Sequence, residues 1–208
     1  METIKTIKDF INDFDKTKID ELRTKFNKRA TDKKGFSLTE RLDAKKDIPF
    51  DQDMINEIVL WKVNRYVNVG NSSWLEDFNN LKDVPEIDDN NKEHIKEILK
   101  KMIDTNGIRL PMASTMLSFR NPRVFQIIDI RTFHVMYGDD DVKKKVLDAN
   151  NDESIKLYFD YLVDLKKEKI TFCESDRILY QYDIEENKKY YIEKKKKIEE
   201  KKKSAETN

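Results

Sequence analysis

Residues 107–138 read GIRLPMASTMLSFRNPRVFQIIDIRTFHVMYG, and this stretch decides the fold. It opens on Gly107, one of only four glycines in the chain, so a turn there has its own cause. Residues 110–119 restart a helix, with Pro111 tolerated in its first turn. Asn121-Pro122 stops that helix, because the residue before a proline is pushed out of the helical region. Phe125 to Ile128 reads as a short extended approach. Asp129 then opens a helix over 130–137, which ends at Gly138. Just upstream, Ile95, Ile98, Leu99, Met102 and Ile103 recur at helical spacing and predict a helix over 92–104. The sum is two helices joined by a tight turn, with a lone carboxylate following at fixed distance.

Working outward, the same periodicity predicts helices elsewhere. Ile4, Ile7, Phe10, Ile11 and Phe14 mark one or two helices over 3–29. Residues 53–68 carry a wide apolar stripe, with Asp51 or Asp53 as cap and Gly70 as terminator. Shorter helices follow over 74–81, 139–149 and 152–167, and another starts after Cys173-Glu174-Ser175. No stretch longer than Phe125–Ile128 reads as a strand. The fold class is therefore all-α, expected as two helical lobes in one domain over 1–186. Residues 187–208 read as a Lys/Glu-rich extension that frays by Ser204.

Composition narrows the function classes. Lys and Arg number 41 against 41 Asp and Glu, so the net charge is zero. The charge is uneven: residues 188–203 hold nine Lys and three Glu. A neutral total neither supports nor excludes a nucleic-acid partner. Cys173 is the only cysteine and His94 and His134 the only histidines, which excludes a four-cysteine cluster and leaves no metal or cofactor expected. Cys173 itself reads as a small buried apolar residue. The N-terminus is no signal peptide, and no run reaches transmembrane length. A cytoplasmic monomer without membrane association is expected.

The hairpin has a specific physical use. Amides at a turn and at the start of its second helix point outward with the helix dipole behind them, and can hold one phosphate without reading sequence. Ala113 and Ser114 are small enough to let the two helices approach. Asp129 also reads as an ordinary helix cap, and the two roles can coexist.

Over residues 92–138 the chain resembles the helix–hairpin–helix superfamily of DNA glycosylases, the endonuclease III-like group. The resemblance aligns Gly107 with the first hairpin glycine, Ile108 with the following valine and Ala113 with the alanine of the second helix. Asp129 lies eighteen residues beyond Pro111, at the spacing of the family's catalytic aspartate. The departures are Arg109 at the second glycine, Thr105-Asn106 before the first, and Pro111 where bifunctional members keep a lysine. A Schiff-base lysine at that position is thus absent.

The resemblance implies a DNA glycosylase of the monofunctional kind, acting on double-stranded DNA. Asp129 would be catalytic, stabilising positive charge on the sugar as the base leaves. Gly107, Arg109 and Met112 would hold phosphate, with Arg120, Arg123 and Arg131 lining the DNA face. The target base would be flipped into a pocket walled by Trp61, Asn64 and Arg65. The alternatives are a DNA-binding module of the same fold without turnover, and a helical protein-interaction domain in which the hairpin is only a corner.

Overall fold

A computed structural model of the chain describes residues 3–12, 16–30, 42–63, 69 and 72–206. The fold is all-α, with no strand among the described residues. The helices are α1 Ile7–Asn12, α2 Lys16–Ala30, α3 Gln52–Val63, α4 Leu75–Asn80 and α5 Lys92–Ile103. They continue as α6 Leu110–Arg120, α7 Ile130–Tyr137, α8 Asp141–Ala149, α9 Asp152–Lys167, α10 Ser175–Glu186 and α11 Lys188–Glu206. Single 3-10 turns cover Leu81–Asp83 and Phe172–Glu174.

Short polar side chains set several helix starts. Asp51 Oδ1 accepts the Met54 amide at 2.9 Å and caps α3 as expected. Asp140 accepts the Val142 and Lys143 amides ahead of α8. Asn151 and Ser154 form a reciprocal capping box at α9. The 92–104, 110–119, 130–137 and 152–167 expectations match α5, α6, α7 and α9 to within a residue. The Gly70 terminator lies outside the described residues, as do residues 64–68 of the expected 53–68 helix.

At the centre lies α6. Every one of its residues except Pro111 is buried, and it packs against α3 and α5. Burial all round its circumference explains why its sequence lacks a polar face. Ahead of it, Met54, Ile55, Ile58 and Val59 bury the inner face of α3. Around it, α10 packs on α7 and α2, α8 on α9, and α9 on α5. One apolar cluster runs from Ile7 to Tyr182.

The Lys-rich helix α11 continues to Glu206, beyond the expected fraying at Ser204. Its start is pinned to the core. Asn187 is buried, and its side chain accepts the Lys5 amide at 2.6 Å and donates to the Lys5 carbonyl at 3.0 Å. Tyr191 donates to Asp183 at 3.0 Å. Cys173 corrects its expected burial: it is exposed, on the surface 3-10 turn whose neighbour Phe172 packs inward instead.

Arg120 corrects a second expectation. Its side chain is only 3% exposed and turns away from solvent. Nε and Nη2 donate to the Asn79 carbonyl at 3.0 and 2.7 Å, and Nη1 donates to Lys46 at 2.9 Å and to Ile48. The guanidinium also lies over the Phe50 ring, 4.9 Å from its centroid. It ties the end of α6 to the loop before α3 and to the last turn of α4, and no DNA-facing role remains for it. Arg120→Met strands those carbonyls, so urea unfolding is expected to show a loss of about 2–4 kcal/mol. A variant as stable as the parent would show that the clamp does not hold the loop.

Candidate functional site

The site is built on residues 125–129, which join α6 to α7 without helix or strand. Val124 to Ile128 are all buried, yet no strand lies beside them. Their backbone groups therefore need other partners. Tyr158 donates to the Gln126 carbonyl at 3.0 Å, and Tyr161 to the Ile127 carbonyl at 2.8 Å. Asp176 Oδ2 accepts the Ile127 amide at 3.3 Å, and Ser114 Oγ accepts the Ile128 amide at 3.2 Å. The small Ser114 thus serves the segment leading to Asp129 as well as close helix packing.

Asp129 stands at the end of this segment as the N-cap of α7. Oδ1 accepts the Arg131 and Thr132 amides at 2.9 and 3.1 Å, while Thr132 Oγ1 accepts the Asp129 amide at 2.9 Å. This capping box fixes the carboxylate plane. Oδ2 points the other way and accepts from Lys62 Nζ at 2.9 Å. The two side chains are 15% and 16% exposed. Burial alone would raise the Asp129 carboxyl. The Lys62 ammonium and the two amides outweigh it and hold the group below the ordinary carboxylate range.

A second carboxylate, Asp176 in the first turn of α10, is buried behind the same segment. Burial raises it above the ordinary range, against the pull of Arg177 and the Arg177 and Ile127 amides. Burial pushes the Tyr161 hydroxyl well up, with the charge of Asp176 adding to it. The two acids thus shift in opposite directions, Asp129 down and Asp176 up.

In the hairpin, Gly107 has φ 89°, so a residue with a side chain would be strained there. Arg109 is extended at φ −113° and ψ 169°, so this position does not need glycine. Gly107 and Arg109 are exposed. The amides of the second helix are already engaged. Leu110 N–H donates to Asn150 Oδ1 at 2.9 Å, Met112 N–H donates to the Arg109 carbonyl at 2.8 Å, and Pro111 has none. Asn150, left-handed at φ 55°, also donates to the Ile103 carbonyl at 3.0 Å and so clasps both helices of the hairpin. Met112 is buried, which corrects its expected place on phosphate. What the hairpin offers an anion is the exposed turn and the Arg109 side chain.

The remaining expectations divide. Arg123 is exposed. Arg131, its side chain 35% exposed, pairs with Asp183 at 2.7 Å and lies over the Tyr180 and Tyr191 rings. The Trp61 side chain, Asn64 and Arg65 lie outside the described residues. His134 is buried, with Nδ1 2.8 Å from the Tyr191 hydroxyl, and burial lowers it to about 4. It is neutral at neutral pH. Among the described residues no group of three His, Cys, Asp or Glu is placed to hold a metal ion.

Sequence reasoning missed Lys62, Asp176 and Asn150. Lys62 follows Trp61 directly, but nothing in the local pattern says that its ammonium meets an acid 67 residues away. Asn150 had a signal, since asparagine is the side-chain-bearing residue most at ease in the left-handed region.

Asp129 titrates lower folded than unfolded. It contributes stability above its unfolded value of about 3.9, and that contribution is lost as pH falls through the lower folded value. Asp129→Asn is expected to lower stability at neutral pH and to flatten the acid limb of a stability-against-pH profile. An acid limb as steep as the parent's would overturn the pairing described above. No family model, curated protein or solved structure matches the chain, so a functional reading rests on these residues alone.

Proposed function

We propose that the chain is a DNA-binding enzyme that hydrolyses the N-glycosidic bond of a modified or mismatched base. The observation that carries this reading is Asp129: an ionised carboxylate, fixed by its capping box, set just past a tight hairpin. As the base departs with the bonding electron pair, positive charge develops on the sugar, and a fixed carboxylate stabilises it and orients the attacking water. The base must first leave the duplex stack. Lys62 brings the end of α3 to Asp129, and the reading keeps a base pocket walled by Trp61, Asn64 and Arg65 as part of the proposal. Phosphate contacts fall to the Gly107 turn and to the exposed Arg109 and Arg123.

A second reading, a fold that binds double-stranded DNA without turnover, is favoured by one observation. Both Asp129 oxygens are engaged by the protein itself.

The test is a panel of duplexes carrying uracil, hypoxanthine, alkylated and oxidised bases, followed by alkaline cleavage of abasic sites. The reading expects base release from one class and a drop of about 100-fold or more in Asp129→Asn. Equal release by the variant would remove Asp129 from the mechanism. Salt-dependent duplex binding with no release from any member would leave the second reading.

A further inference from the structure

Asp129 uses its two oxygens differently. Oδ1 is tied to backbone amides that cannot leave without unwinding the start of α7. Oδ2 has Lys62 as its partner. An ammonium 2.9 Å from Oδ2 cancels, at short range, the field the carboxylate would exert on a developing cation. With Lys62 in place, Asp129 is a neutralised pair and a poor partner for positive charge on a sugar.

The other groups around Asp129 do not release it. From α7 come the Arg131 and Thr132 amides, while the Arg131 guanidinium is held by Asp183. From α10 comes buried Asp176, a like charge whenever it ionises, and from α9 the Tyr161 hydroxyl, which donates to Ile127. Lys62 alone sits on a flexible four-carbon stem near the end of its helix, partly open to solvent. Its ammonium can rotate off Oδ2 without any backbone change, and a phosphate oxygen is the natural receiver of such a compact, multi-donor cation.

Resting on the reading above, we infer that Lys62 is a substrate-operated gate. The free protein keeps Asp129 closed, and a DNA phosphate beside the target nucleotide draws the Lys62 ammonium away and opens the carboxylate. Lys62 is then a positioning residue, acting through Asp129. The gate also reconciles a carboxylate suited to catalysis with the closed pair seen in the structure.

The test uses a duplex carrying a tetrahydrofuran abasic analogue, which has no base to release, so turnover plays no part. Binding is followed by fluorescence anisotropy over a series of salt concentrations for the parent, Lys62→Met and Lys62→Arg. If Lys62 moves to phosphate, the slope of log affinity against log salt becomes shallower by about 1 in Lys62→Met and is kept in Lys62→Arg. In parallel, the carbon-13-labelled Asp129 carboxyl is titrated free and bound. Its midpoint should rise on binding in the parent by more than it does in Lys62→Met. Should Lys62→Met fail to fold, Lys62→Gln carries the same comparisons. An unchanged salt slope, or equal midpoint changes with and without Lys62, overturns the gate while leaving DNA binding intact. No binding by the parent at low salt overturns the DNA reading, and the gate with it.

Discussion

The structure depends on a buried, irregular segment that crosses a helical interior with no strand beside it among the described residues. Between Phe125 and Asp129 the buried backbone has no ladder to join, and an unpartnered buried amide or carbonyl costs about 1–3 kcal/mol. Side chains from four helices answer it: Ser114 from α6, Thr132 from α7, Tyr158 and Tyr161 from α9, and Asp176 from α10. Each of these residues has to be buried to reach the segment. Each is therefore locked in one rotamer by its surroundings. The segment fixes the relative placement of the helices, and the helices fix the segment.

Asp129 inherits this rigidity. It sits where the last side-chain-bonded residue meets the first turn of α7, and its cap uses amides that the helix leaves unpaired. A carboxylate placed on a surface loop would sample many directions. Here one oxygen is fixed by the helix start and the other can face only outward, towards Lys62. The arrangement supplies preorganisation, which is what electrostatic stabilisation of a transient charge requires.

How much of this was legible in the sequence follows from which interactions are local. The helices from α5 to α9 were readable because an apolar period or a cap lies within a few residues of each boundary, as at Asp129 and Asn151. The break at Asn121-Pro122 was readable for the same reason. The site was only half readable. Asp129 announced itself by position, but its partner Lys62 comes from another helix, and periodicity carries no information about that meeting. The arginines show the limit most plainly. Arg120, Arg123 and Arg131 look alike in sequence, yet one clasps three backbone carbonyls, one is exposed and one is paired with a buried acid. What separates them is depth, which tertiary packing alone decides.

The balance between burial and charged or hydrogen-bonding partners separates the three acids around α7. Asp183 has an arginine at 2.7 Å and two further donors, Asn187 and Tyr191, yet burial still raises it, because its side chain is fully enclosed. Asp176 is raised for the same reason, with hydrogen bonds to amides too few to compensate. Burial is also the largest influence on Asp129, yet the Lys62 ammonium and the Arg131 and Thr132 amides together outweigh it. The partners of Asp129 thus outweigh burial, while those of Asp183 and Asp176 do not. Of the three, Asp129 alone is both shifted towards its charged form and reachable from outside. For that reason the proposed reaction places its carboxylate at Asp129, while Asp176 and Asp183 bond the backbone and the neighbouring helices.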